Sequence, residues 1–137
     1  MVAESPIEFR VSPEEYLRMS DIERYSDGSG YACALSVRSG VFGLHGYRFF
    51  FEGLERFLRE LQRLYKSLSG AARLQTTYED PYIEITGTEH GHVRVHGYIV
   101  TYVPDREELR FSFTADQTFL PPLINSVEMV VRETQKT

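Results

Sequence analysis

His92-Val93-Arg94-Val95-His96-Gly97-Tyr98-Ile99-Val100-Thr101-Tyr102-Val103, then Pro104-Asp105-Arg106-Glu107-Glu108, then Leu109-Arg110-Phe111-Ser112-Phe113-Thr114-Ala115, is the stretch on which the fold turns. Two runs with the two-residue period of a strand flank a polar, proline-led turn. That turn is too short for a helical crossover, so the strands must run antiparallel. Residues 73–79 and 82–88 alternate in the same way, with Glu79-Asp80-Pro81 between them and Glu89-His90-Gly91 before residue 92. The region therefore reads as a four-stranded antiparallel meander.

Upstream the period changes to that of a helix. Leu54, Phe57, Leu58, Leu61, Leu64, Tyr65 and Leu68 fall on one stripe at 3.6-residue spacing, with Arg56, Arg59, Arg63 and Lys66 opposite. Glu52 and Arg56, and Glu55 and Arg59, are spaced as i,i+4 ion pairs, and Gly70 reads as the residue that closes the helix. Before it, Tyr31, Cys33, Leu35 and Val37 share one strand face, and Leu44 to Glu52 is an aromatic-rich strand that pairs with them as a hairpin.

Ile7, Phe9 and Val11 mark a first strand, and Ser26-Asp27-Gly28-Ser29-Gly30 a loop. Residues 12–25 stay open. Ser12-Pro13-Glu14-Glu15 has the composition of a helix start running to about Met19, while a strand from Tyr16 competes. At the other end, Leu120, Leu123, Ile124, Val127, Val130 and Val131 form an amphipathic helix with Pro121 and Pro122 in its first turn, and residues 133–137 are expected to fray. The expected class is α+β: mainly antiparallel sheet, from N-terminal strands and then the meander, with one long central amphipathic helix and a C-terminal helix. Residues 1–137 are expected to form a single domain.

Composition narrows the function. Fifteen Lys and Arg against 20 Asp and Glu give a net charge of −5, which argues against binding nucleic acid through its phosphates and suits a basic partner. The one cysteine rules out an intrachain disulfide and fits a reducing, cytoplasmic setting. No secretory signal is visible, and no window approaches the roughly 20 apolar residues that cross a bilayer. No membrane partner is expected.

No catalytic motif survives inspection. Glycine-rich phosphate loops and nucleophile elbows are absent, and Cys33 sits among Ala32, Ala34 and Leu35 as a core residue would. His90, His92 and His96 share a parity that suggests a metal site. At about 3.3 Å per residue, however, His96 lies about 13 Å beyond His92, too far for one coordination shell. The expectation is therefore no catalytic residue, no metal and no cofactor. A small-ligand or metal-binding domain is the alternative.

Gly30-Tyr31, the Phe57/Leu61/Leu64 helix, Gly70-Ala71-Ala72-Arg73-Leu74, Gly91-His92-Val93-Arg94-Val95-His96-Gly97 and Leu109 to Thr118 together resemble the WapI family of bacterial immunity proteins. The resemblance runs from about Gly30 to Leu120, and its matching residues look architectural. It implies a small cytoplasmic protein that binds and blocks a cognate toxin domain by contact, and it names no particular toxin.

A contact surface follows from the meander, because alternate turns emerge at the same end of a sheet. Glu79 and Asp80 in the first turn meet Asp105, Glu107 and Glu108 in the third. Five negative charges against Arg106 leave a local −4 of the molecule's −5. The strand 92–103 is five residues longer than 82–88, so the third turn is expected to project up to roughly 16 Å beyond the first. These five carboxylates are the expected partner-binding residues. The same charges also fit an ordinary solvated sheet end.

Overall fold

Alternating apolar residues over four short segments make the first sheet. The computed structural model describes residues 2–75 and 81–135. Strands β1 (Ile7–Ser12), β2 (Glu15–Arg24), β3 (Tyr31–Ser39) and β4 (Phe42–Phe51) pair antiparallel in the order β1-β2-β3-β4. Residues 15–24 are therefore strand, and the helical reading of Ser12 to Met19 is corrected. Ser12 pairs with Glu15 across a tight turn, and Ser12 Oγ accepts the Glu14 backbone N–H at 3.2 Å. Proline and serine here begin a hairpin instead of a helix. Leu17 and Met19 point inward, and a bulge at Asp21, with φ of 50°, turns Ile22 inward as well. Met19 and Ile22 thus acquire three-residue spacing, which imitates a helix face inside a strand.

A second bulge lies in β4. Leu35 pairs with Tyr47 and Val37 with Leu44, so His45 and Gly46 together oppose Ser36, whose Oγ accepts the Gly46 N–H at 3.2 Å. Gly46, at φ of 67°, supplies the left-handed residue the bulge requires.

After β4 the helical stripe forms α1 (Leu54–Ser67), which buries Leu54, Phe57, Leu61 and Leu64. Each such side chain contributes roughly 1.5–3 kcal/mol by leaving water. Tyr65, counted in the stripe by periodicity, is exposed, although its neighbour Leu64 is buried. Leu68, not Gly70, takes the left-handed capping position, with φ of 57° and its N–H donated to the Leu64 carbonyl at 2.7 Å. Glu55 is likewise not committed to Arg59: its carboxylate accepts the Tyr31 hydroxyl and the Gln135 amide, each at 2.9 Å.

The meander forms as expected: β5 (Ala71–Gln75), β6 (Tyr82–Gly87), β7 (His92–Thr101) and β8 (Glu107–Asp116), in the order β5-β6-β7-β8. Gly97 in β7 sits beneath Phe111, where a Cβ would come within 2.7 Å of the ring. The closing helix α2 (Leu120–Thr134) carries Pro121 and Pro122 at its start, where no amide donor is lost to the helix. With 15 residues it slightly exceeds the 14 of α1, so the expected central helix is no longer than the C-terminal one. Nor does residue 133 fray. The Glu133 carboxylate accepts the N–H groups of Glu4 and Ser5 and the Ser5 hydroxyl, and Thr134 is buried with its hydroxyl on the Val130 carbonyl.

The class is α+β with antiparallel sheets. One continuous cluster of buried residues draws on both sheets and both helices. Phe9 of β1 meets Phe113 of β8 at 6.2 Å between ring centres. β4 runs across one end of the second sheet: Glu52 bridges Gln75, and the Tyr47 hydroxyl donates to the Val100 carbonyl at 3.0 Å.

Candidate functional site

β7 and β8 outrun their neighbour, and that overhang builds the site. Among the described residues, β6 pairs with β7 up to Tyr82 and Tyr98, whereas β7 continues against β8 through Ile99–Leu109, Val100–Glu108 and Thr101–Glu107. The overhang is three paired residues, about 10 Å, shorter than the expected 16 Å because β7 ends at Thr101. Glu79 and Asp80 lie outside the described residues, so the meeting of the first and third turns stays an expectation.

Where the overhanging strands pass β4 there is a cleft of about 310 Å³, lined by Gly43 and Leu44 of β4, Ile99 and Thr101 of β7, and Glu107, Glu108 and Leu109 of β8. Two of the three acidic residues expected in the third turn therefore line a concavity rather than a plain turn. They differ in their partners. Glu108 is paired with the Arg106 guanidinium, which also donates to the Tyr98 hydroxyl at 3.2 Å and lies 6.0 Å from the Tyr102 ring centre. Glu107, exposed at the start of β8, has the parity of Leu109 and Phe111 and lines the cleft. Its carboxylate has no hydrogen-bond or ion-pair partner among the described residues. Asp105, in the loop between the strands, is exposed.

The residues that run on in sequence from the cleft lining are apolar and exposed. Val41 and Phe42, at the β3–β4 turn, are 88% and 68% exposed; Tyr102 and Val103, leaving β7, are 64% and 86% exposed. Sequence reading missed the contribution of β4, although the signal was there: Val41-Phe42 places two large apolar residues directly after the Gly40 turn, where solvent-facing loops are ordinarily polar.

The histidines go elsewhere. His90 and His92 are exposed beside Gly91, and His96 stands in a cross-strand row with Arg73 and Glu84. Its Nε2 lies 3.3 Å from Glu84 and 3.0 Å from the Thr86 hydroxyl, while Arg73 reaches Glu84 at 3.1 Å and covers the Tyr82 ring at 4.0 Å. Burial, with Arg94 and Arg73 adding to it, holds His96 below the usual histidine range despite the neighbouring carboxylate. Among the described residues no three His, Cys, Asp or Glu side chains gather as a metal site needs. Burial pushes the Cys33 thiol up to about 12, so it is held in the unreactive thiol form. Among the same residues, no helix is long and apolar enough to cross a membrane.

Several residues that carried the resemblance now have structural reasons. Gly30 abuts the Phe51 carbonyl, where a Cβ would come within 2.8 Å; Tyr31 stacks on Phe51; and Asp116 accepts the Thr118 N–H at 2.8 Å, capping the 3-10 turn Gln117–Phe119 that leads into the last helix. No curated protein and no solved structure matches the chain. The model of the immunity protein WapI-like family, in contrast, matches residues 3–134, taking in the N-terminal strands that the motifs alone left out. The chain belongs to the immunity protein WapI-like family.

Proposed function

We propose that this protein binds a cognate toxin domain in the cytoplasm and neutralises it by direct contact, without catalysis of its own. Family membership supports the toxin as the kind of partner. The observation that carries the contact reading is the open end of the molecule, where exposed apolar side chains accompany a cleft lined by Glu108 and the unpaired Glu107. Buried apolar anchors with a polar surround are what a specific protein interface is made of.

Asp105, Glu107 and Glu108 form the proposed docking surface, with Glu79 and Asp80 as its expected extension along the same sheet end. An acidic patch on a protein of net charge −5 draws in a basic partner and is screened by salt. Replacing Asp105, Glu107 and Glu108 together by Ala should slow association with the cognate toxin domain by about tenfold at low salt. It should also flatten the salt dependence and leave the melting temperature unchanged. Wild-type association by the triple variant at low salt would move the contact elsewhere, with the Arg56, Arg59, Arg63 and Lys66 face of α1 next to be tested.

A second reading, a small-ligand module, rests on the cleft itself, whose volume of about 310 Å³ is at the lower end of ligand pockets. Stabilisation by a member of a metabolite panel in a thermal-shift assay would favour it.

A further inference from the structure

We infer that the cleft between β4 and the overhanging ends of β7 and β8 receives a single arginine side chain of the bound partner. This rests on the contact reading above and specifies its chemistry.

The walls of the cleft call for an amphipathic cation. Leu44, Ile99 and Leu109 offer an apolar passage, and Glu107, exposed at the start of β8, sets an unpaired carboxylate into the lining beside them. An ordinary apolar anchor would leave that carboxylate without its water and without a partner. A side chain with an aliphatic stem and a cationic head satisfies wall and carboxylate together. The cleft's volume suits one such side chain and not a helix or strand.

Arginine is favoured over lysine by what the same loop already holds. Arg106 sets its guanidinium on Glu108, reaches the Tyr98 hydroxyl and lies beside the Tyr102 ring. A planar guanidinium is weakly hydrated, grips a carboxylate with two parallel hydrogen bonds and stacks on aromatic rings, none of which a compact ammonium does as well. With Glu108 taken by Arg106, Glu107 is the acceptor left for a second guanidinium. The exposed Phe42, Tyr102 and Val103 then close around it and exclude water.

The test is an NMR titration of the free protein with N-acetyl-arginine amide, with N-acetyl-citrulline amide as the neutral isostere. The arginine compound should saturably shift the amide signals of Leu44, Ile99, Thr101, Glu107 and Leu109, at least about tenfold more tightly than the citrulline compound. Glu107→Gln should erase that preference; Glu108→Gln, which frees Arg106, should not. Both variants change exposed side chains and should keep the wild-type melting temperature. Equal response to the two compounds, or shifts confined to other surfaces, overturns the assignment. Protection from the cognate toxin domain separates the two proposals. Protein that protects but ignores the arginine compound loses the cleft assignment alone, and protein that takes up the compound but does not protect loses the proposed function.

Discussion

The two ends of β4 could hardly be treated more differently. At the Phe51 end, Tyr31 stacks on Phe51 with centroids 5.3 Å apart and planes within 5°, Phe49 packs behind, and the Tyr31 hydroxyl is held by Glu55, which also binds Gln135. At the Phe42 end the strand leaves a bulge and presents Val41 and Phe42 to solvent beside a cleft. One strand thus joins a region where nearly every group is satisfied to a region where apolar surface and a carboxylate are left without partners. The difference teaches that satisfied packing and unsatisfied surface can be placed at opposite ends of one element, so that each can be altered separately.

The sharpest way to break that comparison is at the closed end. Leu61→Ala removes a fully buried side chain from the α1 stripe and should cost about 2–5 kcal/mol through lost transfer energy and the cavity left behind. Thermal or urea unfolding measures it, and an unchanged melting temperature would show that α1 is peripheral to the core.

A smaller change sharpens the same end. Tyr31→Phe keeps the stacked ring and deletes the hydroxyl bonded to Glu55, for a loss of about 1 kcal/mol. It should also change the alkaline limb of stability. Burial, and then the Glu55 carboxylate, push the Tyr31 hydroxyl up to about 12 from its ordinary 10.0. With the folded value raised, the unfolded chain gives up this proton first. The contribution is therefore whole below pH 10 and lost as pH rises from 10 towards 12. Unfolding measured across that window should show a shallower decline in Tyr31→Phe than in the wild type, and equal slopes would mean that the hydroxyl is not shielded.

The smallest expected effect on stability belongs to the open end. Phe42→Ser and Val103→Ser alter exposed side chains and should shift stability by no more than about 0.5 kcal/mol in either direction. The same variants should weaken toxin-domain binding by about tenfold or more if these residues surround the contact. Substantial destabilisation would show that the apolar lips belong to the core after all.

How much of this was legible in the sequence depended on how local the determining physics is. The meander, the hairpin of β3 and β4 and both helices follow from apolar period and from turns such as Glu89-His90-Gly91, all set within a dozen or so residues. β2 was ambiguous because the Asp21 bulge disguises its period. The end of α1 was misplaced because Leu68 accepts a left-handed backbone that glycine ordinarily takes. For the site, the carboxylates Glu107 and Glu108 were legible as turn charge, but the cleft beside them was not. It is made by Gly43 and Leu44, brought across some sixty residues by tertiary packing that no short window records. The fate of Glu55 was hidden for the same reason, since its partners Tyr31 and Gln135 lie 24 and 80 residues away.

The bulge at His45 and Gly46 also bears on solubility. β4 is an edge strand of the first sheet, and a long, flat, aromatic edge is a template on which a strand from another copy can add. The extra residue opposite Ser36 interrupts the row of evenly spaced donors and acceptors midway along that edge, and the Tyr47 hydroxyl bonded to Val100 brings the second sheet against it just beyond. What remains is too short and too bent to seed stacking of strands. The chain can thus keep Phe42 and Val41 exposed without offering the edge behind them to its own kind.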